Sequence, residues 1–556
     1  MRDMICIYCK NNAARYDVPI GSSLLEIYEA AGKPLPYRPM NALVNNRVEG
    51  LNYRCWQPKD VEFIDYTNLS GLRTYVRSLC HIFSKAVADV LPSATLNLEH
   101  PVSRGYYCVI CHAESIGPET IGRIKQRMQD IIDADMPFRH HTVRTSDAAA
   151  LFRKRGMEDK ARLIETAGMN YTSFYELDGH IDFFYGCLTP SSGYIHLFDI
   201  SPYFDGVLLR IPRRDDPFAL EPVIRQDKMF DVYKESLMLK RTLGLNNAGD
   251  LNRAIAGGHT RQIVLVAEAM QEKQIAGIAE QIAARHRNGG ARIVLVSGPS
   301  SSGKTTFTKR LAIQLVTCLC HPVSISLDDY FLNRQDTPRD EGGEYDFESL
   351  YALDLEYFNN DIGKLLAGED ISLPSYDFTT GRRVYKGARL QLKDNSILII
   401  EGIHALNPEL TACIEEVYKY RAYVSALTSI SLDNHNWIPT TDNRLLRRII
   451  RDFRFRNYSA GQTISRWPSV RNGENKWIFP YQETADAMFN SAMLYEFAAL
   501  RLFAEPILHQ VKESEKEYAE AYRLMRFLKY FNPVADQELP GVSLLREFLG
   551  GGDFIY

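Results

Sequence analysis

Ile293–Thr306 reads IVLVSGPSSSGKTT, and it decides the fold of the C-terminal half of the chain. Ile293–Val296 is a short apolar run with the length and flanks of a buried strand. Gly298, the four spacers Pro299, Ser300, Ser301 and Ser302, and then Gly303-Lys304-Thr305 complete the spacing G-x-x-x-x-G-K-[ST], with Thr306 directly after. Phe307, Leu311 and Leu315 follow at i, i+4 and i+8, one face of a helix. Strand, glycine-rich loop and helix in this order form a phosphate cradle. Gly298 and Gly303 let the backbone N–H groups of Gly298 and of Ser300–Thr306 curl round a phosphate, and the helix N-terminus adds its positive dipole end. In such a loop the lysine, here Lys304, reaches the β- and γ-phosphates, and the next hydroxyl, Thr305, sits on magnesium. ATP and Mg²⁺ are the cofactors this implies.

Outside that stretch, composition sets the bounds. The 556 residues have room for three or four domains, and 45% hydrophobic with 24% charged residues is ordinary globular usage. A net charge of −4 gives no support for nucleic-acid binding driven by bulk positive charge. No run approaches the ~18 apolar residues of a membrane helix, and Met4–Cys9 is too short for a signal-peptide core and ends at Lys10. A cytoplasmic protein with no membrane partner and ten reduced cysteines is the expectation. Cys6/Cys9 and Cys108/Cys111 have C-x-x-C spacing, and four thiols suffice for zinc. Both pairs lie in strand-like runs, where i and i+3 point to opposite faces, so buried structural cysteines are expected instead.

In the segment that follows residue 289, two strands end in acid. Val323, Ile325 and Leu327 alternate and run into Asp328-Asp329; Ile397–Ile400 is wholly apolar and runs into Glu401-Gly402. Ligands of open parallel sheets bind at the carboxyl ends of the strands, so both acids fall on the edge that carries the phosphate loop. One carboxylate would hold Mg²⁺. The other would orient an attacking hydroxyl and accept its proton, worth ~10²–10⁴ in rate. Arg444–Arg456, RLLRRIIRDFRFR, carries six arginines in thirteen residues. A solvated surface helix, an RNA-binding stripe and a mobile lid over a transferring phosphoryl group are all consistent with it.

These motifs together resemble the uridine kinase and phosphoribulokinase family over roughly Ile293–Asn490. The resemblance implies Asp328, in Ser326–Phe331 (SLDDYF), as the general base and Glu401 as the magnesium carboxylate. Tyr345–Glu348 (YDFE) is similar to a stretch whose last carboxylate, here Glu348, holds the ribose hydroxyls. Pro374–Phe378 (PSYDF) matches the segment in which Tyr376 and Phe378 line the base pocket. Arg448, Arg451 and Arg456 fall on lid arginines, Arg448 also touching substrate. Three positions depart from the pattern. Gly381 replaces a histidine that reads the pyrimidine edge, Tyr458 replaces the final lid arginine, and Glu348 is longer than the usual aspartate.

The N-terminal half carries a second resemblance. Pro19–Ile27 (PIGSSLLEI), Ala42–Leu51 (ALVNNRVEGL) and Val61–Asp65 (VEFID) occur in the order of the TGS module of threonyl-tRNA synthetases. Gly71–Pro92 and Gly105–Cys108 resemble the editing domain that follows it in those enzymes. Its H-x-x-x-H and C-x-x-x-H pairs read here as His81/Lys85 and Cys187/Ser191, half of each missing, so hydrolytic editing is not expected. RNA contact by this half stays open.

The expected fold is α/β: a C-terminal P-loop kinase with a mostly parallel sheet, preceded by two α+β domains. The expected divisions are a TGS-like unit at 1–66, an editing-domain-like unit at 67–224, a helical connector at 225–288, the kinase domain at 289–530 and a tail at 531–556. The expected activity is Mg-ATP-dependent phosphorylation of a ribonucleoside 5′-hydroxyl, with unknown oligomeric state. A kinase for another small alcohol or sugar phosphate and a nucleotide-gated RNA-binding protein remain as alternatives.

Overall fold

The computed structural model describes residues 3–113, 115–340, 342–377, 379–393 and 395–556. The expected α/β class is what it shows. At the N-terminus, a five-stranded mixed sheet runs in the order Ala14–Pro19, Met4–Cys9, Lys59–Asp65, Pro39–Val44, Arg47–Glu49. Ser23 caps the helix Leu24–Ala30 that crosses it, by the reciprocal box with Glu26. Asn45 and Asn46 both take positive φ (47° and 59°), which a two-residue hairpin turn needs. Along Met4–Cys9 burial alternates, with Cys9 in the core and Cys6 on the other face.

Helix α1 (Leu69–Val90) and the helix Pro118–Asp133 then pack on a four-stranded antiparallel sheet made of Thr95–Val102, Gly105–Cys111, Asp199–Tyr203 and Gly206–Arg210. A three-stranded sheet spanning Arg139–Asp182 lies beyond it.

The C-terminal sheet has five parallel strands: β1 (Ile293–Ser297), β2 (His321–Ser326), β3 (Ser396–Glu401), β4 (Lys419–Ser425) and β5 (Ala487–Asn490), in spatial order β2-β3-β1-β4-β5. Helices α2 (Thr260–Arg287) and α3 (Lys304–Thr317) cover one face, and the period-2 alternation explains how. Val294 and Val296 meet Phe307, Leu311 and Ile278, while Ile293 and Leu295 meet Phe358 and Ile362 on the other side. A sheet buried on both faces needs the near-continuous apolar strands the sequence shows. Ile275, Ile278, Ala279, Ile282 and Ala283 of the expected connector thus serve the sheet as part of its covering layer, and the expected tail does likewise through Leu544 and Phe548. Two further helices shape the cleft, α4 (Thr440–Phe455) and α5 (Ala460–Trp477), and α6 (Tyr518–Leu528) packs against α5.

Buried ions tie the halves together. Lys160 Nζ lies 2.8 Å from Asp182 and 3.0 Å from Asp433, and His435 Nδ1 lies 2.6 Å from Asp182. No helix among the described residues is long and apolar enough to cross a membrane.

Candidate active site

Parallel register assembles the site. Glu401 at the end of β3 is paired with Val296 of β1 on one side and Ser326 of β2 on the other. The phosphate loop after Ser297, the acids after Ser326 and Glu401 therefore leave the sheet at one level. The loop has no room for larger residues at its glycines. A Cβ on Gly298 would lie 2.1 Å from the Val424 carbonyl oxygen, and one on Gly303, with φ +88°, would lie 2.5 Å from Leu544. Lys304 is buried, its Nζ donating to the Pro299 carbonyl at 3.2 Å. Thr305 Oγ1 donates to the Glu401 carboxylate at 3.3 Å.

Electrostatics locates the partners. Burial, then Asp328 and Glu547, push the Glu401 carboxyl up to about 7 against the pull of Lys304. Burial likewise takes Glu348 up to about 7, with Glu474 and Asp328 adding to it and Arg448 and Lys304 opposing. Lys304, Asp328, Glu348, Glu401 and Arg448 thus sense one another in a single cleft. The tandem acids divide: Asp329 accepts from the Tyr376 backbone N–H at 3.0 Å, tying β2 to the hairpin at Ile371–Leu390, while Asp328 faces the charges of the cleft. Tyr376 is buried, its ring 5.6 Å from that of Phe331. Phe378 lies outside the described residues. Gly381 has φ +68°, and a Cβ there would meet Arg334 at 2.8 Å.

The arginines of α4 separate into two sets. Arg448 Nη1 donates to Ser300 Oγ at 2.7 Å, and Asp452 gathers Arg448 (3.3 Å), Arg451 (2.8 Å) and Arg456 (3.8 Å). Repulsion from Arg451 and burial bring Arg456 down to about 10, with Asp328 acting in the opposite sense. Arg444 and Arg447 instead are fully buried and paired with Glu474 and Glu496. Arg444 also donates to the Ser300 carbonyl at 3.1 Å, and Glu474 accepts from the Ser300 N–H at 3.1 Å. Together they clamp the phosphate loop from outside the cleft.

Four residues escaped the sequence reading. Glu474 sits in a helix with no motif around it, and Asp452 lies within the arginine run, whose cations drew the reading instead. His404, three residues after Glu401, is buried beside Lys304, and burial takes its imidazole down to about 4, leaving it neutral. Its position two residues after a strand-terminal Glu-Gly was the available signal. Glu547 accepts from the Thr306 N–H (2.9 Å) and hydroxyl (2.8 Å), and the Tyr556 hydroxyl lies 2.9 Å from Thr306 Oγ1. A carboxylate at a helix N-terminus takes the place a phosphate would take. Helix α5 lies directly on Glu348, since a Cβ on Gly473 would come within 2.3 Å of the Glu348 Cβ. Trp477 covers His404, whereas Trp467 turns away to Arg444.

Among the described residues no three His, Cys, Asp or Glu side chains cluster as a metal cage. One carboxylate and one hydroxyl, Glu401 and Thr305, suit Mg²⁺, which keeps waters and takes its other ligands from phosphates. In the N-terminal half, His81 is stacked on Phe138 at 5.5 Å, and burial pushes its imidazole down to about 3. Lys85 pairs with Asp178 (3.3 Å) and Asp89 (3.4 Å).

Residues 293–496 match the Phosphoribulokinase / Uridine kinase family. With the parallel sheet and phosphate loop, this gives the C-terminal half the architecture of a P-loop kinase. The N-terminal region is similar to threonine–tRNA ligases. That of Syntrophomonas wolfei subsp. wolfei is 27% identical over 191 residues, 34% of this chain and 30% of the ligase. That of Hahella chejuensis is 28% identical over 165 residues, 29% of this chain and 26% of the ligase. The chain therefore spans under a third of the length of these relatives. A solved structure described as a possible uridine kinase from Bacillus stearothermophilus is 19% identical, with TM-score 0.25, covering 36% of this chain and 89% of that one.

Proposed function

We propose that the protein phosphorylates the 5′-hydroxyl of a ribonucleoside with ATP. The observation that carries this reading is the register that sets Glu401 beside Val296 and Ser326, so that the phosphate loop, Asp328 and Glu401 leave the sheet together, with Thr305 Oγ1 3.3 Å from the Glu401 carboxylate. Lys304 and the amides of residues 298–306 hold the donor phosphates, with Thr305 and Glu401 as the protein ligands of Mg²⁺. The cation, when bound, neutralises charge on the phosphoryl oxygens and favours ionised Glu401. Asp328 orients the acceptor hydroxyl and removes its proton. Arg448, Arg451 and Arg456 stabilise charge on the group in transfer, and the close lid excludes water. Glu348 accepts hydrogen bonds from the ribose, and Tyr376 with Phe378 flanks the base.

Gly381, beside Arg334 rather than bearing a histidine, favours an acceptor other than a simple pyrimidine nucleoside. The test is ATP consumption by the full-length protein across the common nucleosides and sugar phosphates, with products identified by mass. A nucleoside 5′-monophosphate supports the reading. Turnover confined to sugar phosphates replaces the acceptor, and RNA-dependent ATP hydrolysis without any acceptor replaces the function by a switch.

A further inference from the structure

A cavity of about 850 Å³ lies between the N-terminal units and the kinase helices, away from the phosphate loop. Its size falls in the range of small-molecule sites. Arg77 of α1, Tyr175 and Tyr185 line it on one side, and Trp467 of α5 and Ala519 of α6 on the other.

The charges around it do not all cancel. Arg73 pairs with Glu520 (2.7 and 3.0 Å), and Arg523 pairs with Asp442 (2.7 and 2.9 Å) and also with Glu520. Those two arginines and two carboxylates neutralise one another. Arg77, one helical turn on from Arg73, is only 9% exposed, yet no carboxylate lies within ion-pair distance among the described residues. Its Nε donates to the Cys187 carbonyl at 3.1 Å and its Nη2 to Thr74 Oγ1 at 3.2 Å, both neutral acceptors. The half-buried Glu49 on the cavity wall is opposed by Arg526, Arg47 and Lys59, not by Arg77. The Arg77 guanidinium also lies flat on Gly186, where a Cβ would come within 2.5 Å of its Cζ, so its direction is set before any ligand arrives. A buried guanidinium without a counter-charge is costly, and an anion in the cavity removes that cost.

We propose that this cavity binds a small organic anion, with its carboxylate or phosphate on Arg77 and its apolar body against Tyr175, Tyr185 and Trp467. The occupant touches a helix that matters to the kinase cleft. The Trp467 ring lies 5.3 Å from Arg444, which holds the Ser300 carbonyl.

Calorimetric titration of the full-length protein with phenyl phosphate, phenylacetate and uncharged benzyl alcohol tests this. At least one of the two anions binds, and the tighter one identifies the headgroup. Arg77→Met weakens that anion ~10-fold or more and leaves benzyl alcohol unchanged. Lys304→Ala leaves the isotherm unaltered, which separates this site from the kinase cleft whatever the fate of the nucleoside reading. Should a thermal melt show Arg77→Met unfolded, Ala519→Phe, which fills the cavity from α6 without replacing Arg77, takes its place and lowers anion affinity to a similar degree. Equal binding of charged and uncharged compounds, loss of the anion in Lys304→Ala, or no heat from either anion at about 10 mM overturns the proposal.

Discussion

The kinase cleft and the junction between the halves are built from the same materials: buried carboxylates, cations and a histidine. At the junction Asp182 has Lys160 and His435 within 2.8 Å, and their charges hold its carboxyl well below the usual range despite burial. In the cleft Glu348 and Glu401 are half-buried, but their surroundings include other acids, and both carboxyls rise to about 7. A buried charge whose partners are all present stabilises an interface. One whose partners are incomplete is poised for a ligand that brings the missing charge.

The same substitution made in each region separates the two cases. Asp328→Asn should lower kcat by ~10²–10⁴ with little change in melting temperature, as expected of a base. Near-normal turnover in a rapid-quench assay would remove Asp328 from that role. Asp182→Asn should do the reverse, costing ~3–5 kcal/mol in denaturant unfolding by leaving Asp433 as the one carboxylate against the buried Lys160 and His435, while the folded fraction keeps its kcat.

Next in size is the pH dependence of stability, which has opposite signs in the two regions. Glu348 and Glu401 carry folded pKa values of about 7 against 4.5, so the folded state holds more protons between those limits. Stability of the ligand-free protein therefore falls as pH rises from about 4.5 to about 7 and levels off above, by roughly 3 kcal/mol per group at most. Asp182, with a depressed pKa, contributes stability above about 3.8 that is lost only as pH falls through its folded value. Thermal melts across pH 4.5–8 should show the decline, and Glu401→Gln should shrink it. A flat profile would mean the cleft carboxyls are not raised.

The smallest expected effect is at the C-terminus. Glu547 satisfies the Thr306 N–H and hydroxyl at the start of α3, where the proposed function puts a donor phosphate, so Glu547→Gln should tighten ATP binding by about 3- to 10-fold through loss of a competing charge. Unchanged nucleotide affinity by titration would show that the contact yields without cost.

Legibility differed between the regions for a physical reason. The phosphate loop, the acids closing β2 and β3, and the Ser23 capping box are local patterns, in which chemistry and spacing lie within a few residues. The clamp of Arg444 on Glu474 spans 30 residues, and Glu547 on Thr306 spans 241. Neither has a local signature. The arginine run Arg444–Arg456 was legible, but not which of its members would be locked by a carboxylate from α5 and which would remain at the cleft.

From its sequence alone, this chain declares a phosphate cradle, the order of its α/β segments and the identity of the acids and arginines available to the cleft, because hydrophobic period and short motifs are set by neighbours along the chain. Tertiary structure alone decided that α2 and the C-terminal residues cover the parallel sheet, that Asp329 is tied up while Asp328 faces the cleft, and that Arg77 faces a cavity without a counter-ion among the described residues. Those outcomes depend on burial and on charges brought together from distant segments, and no local pattern encodes them.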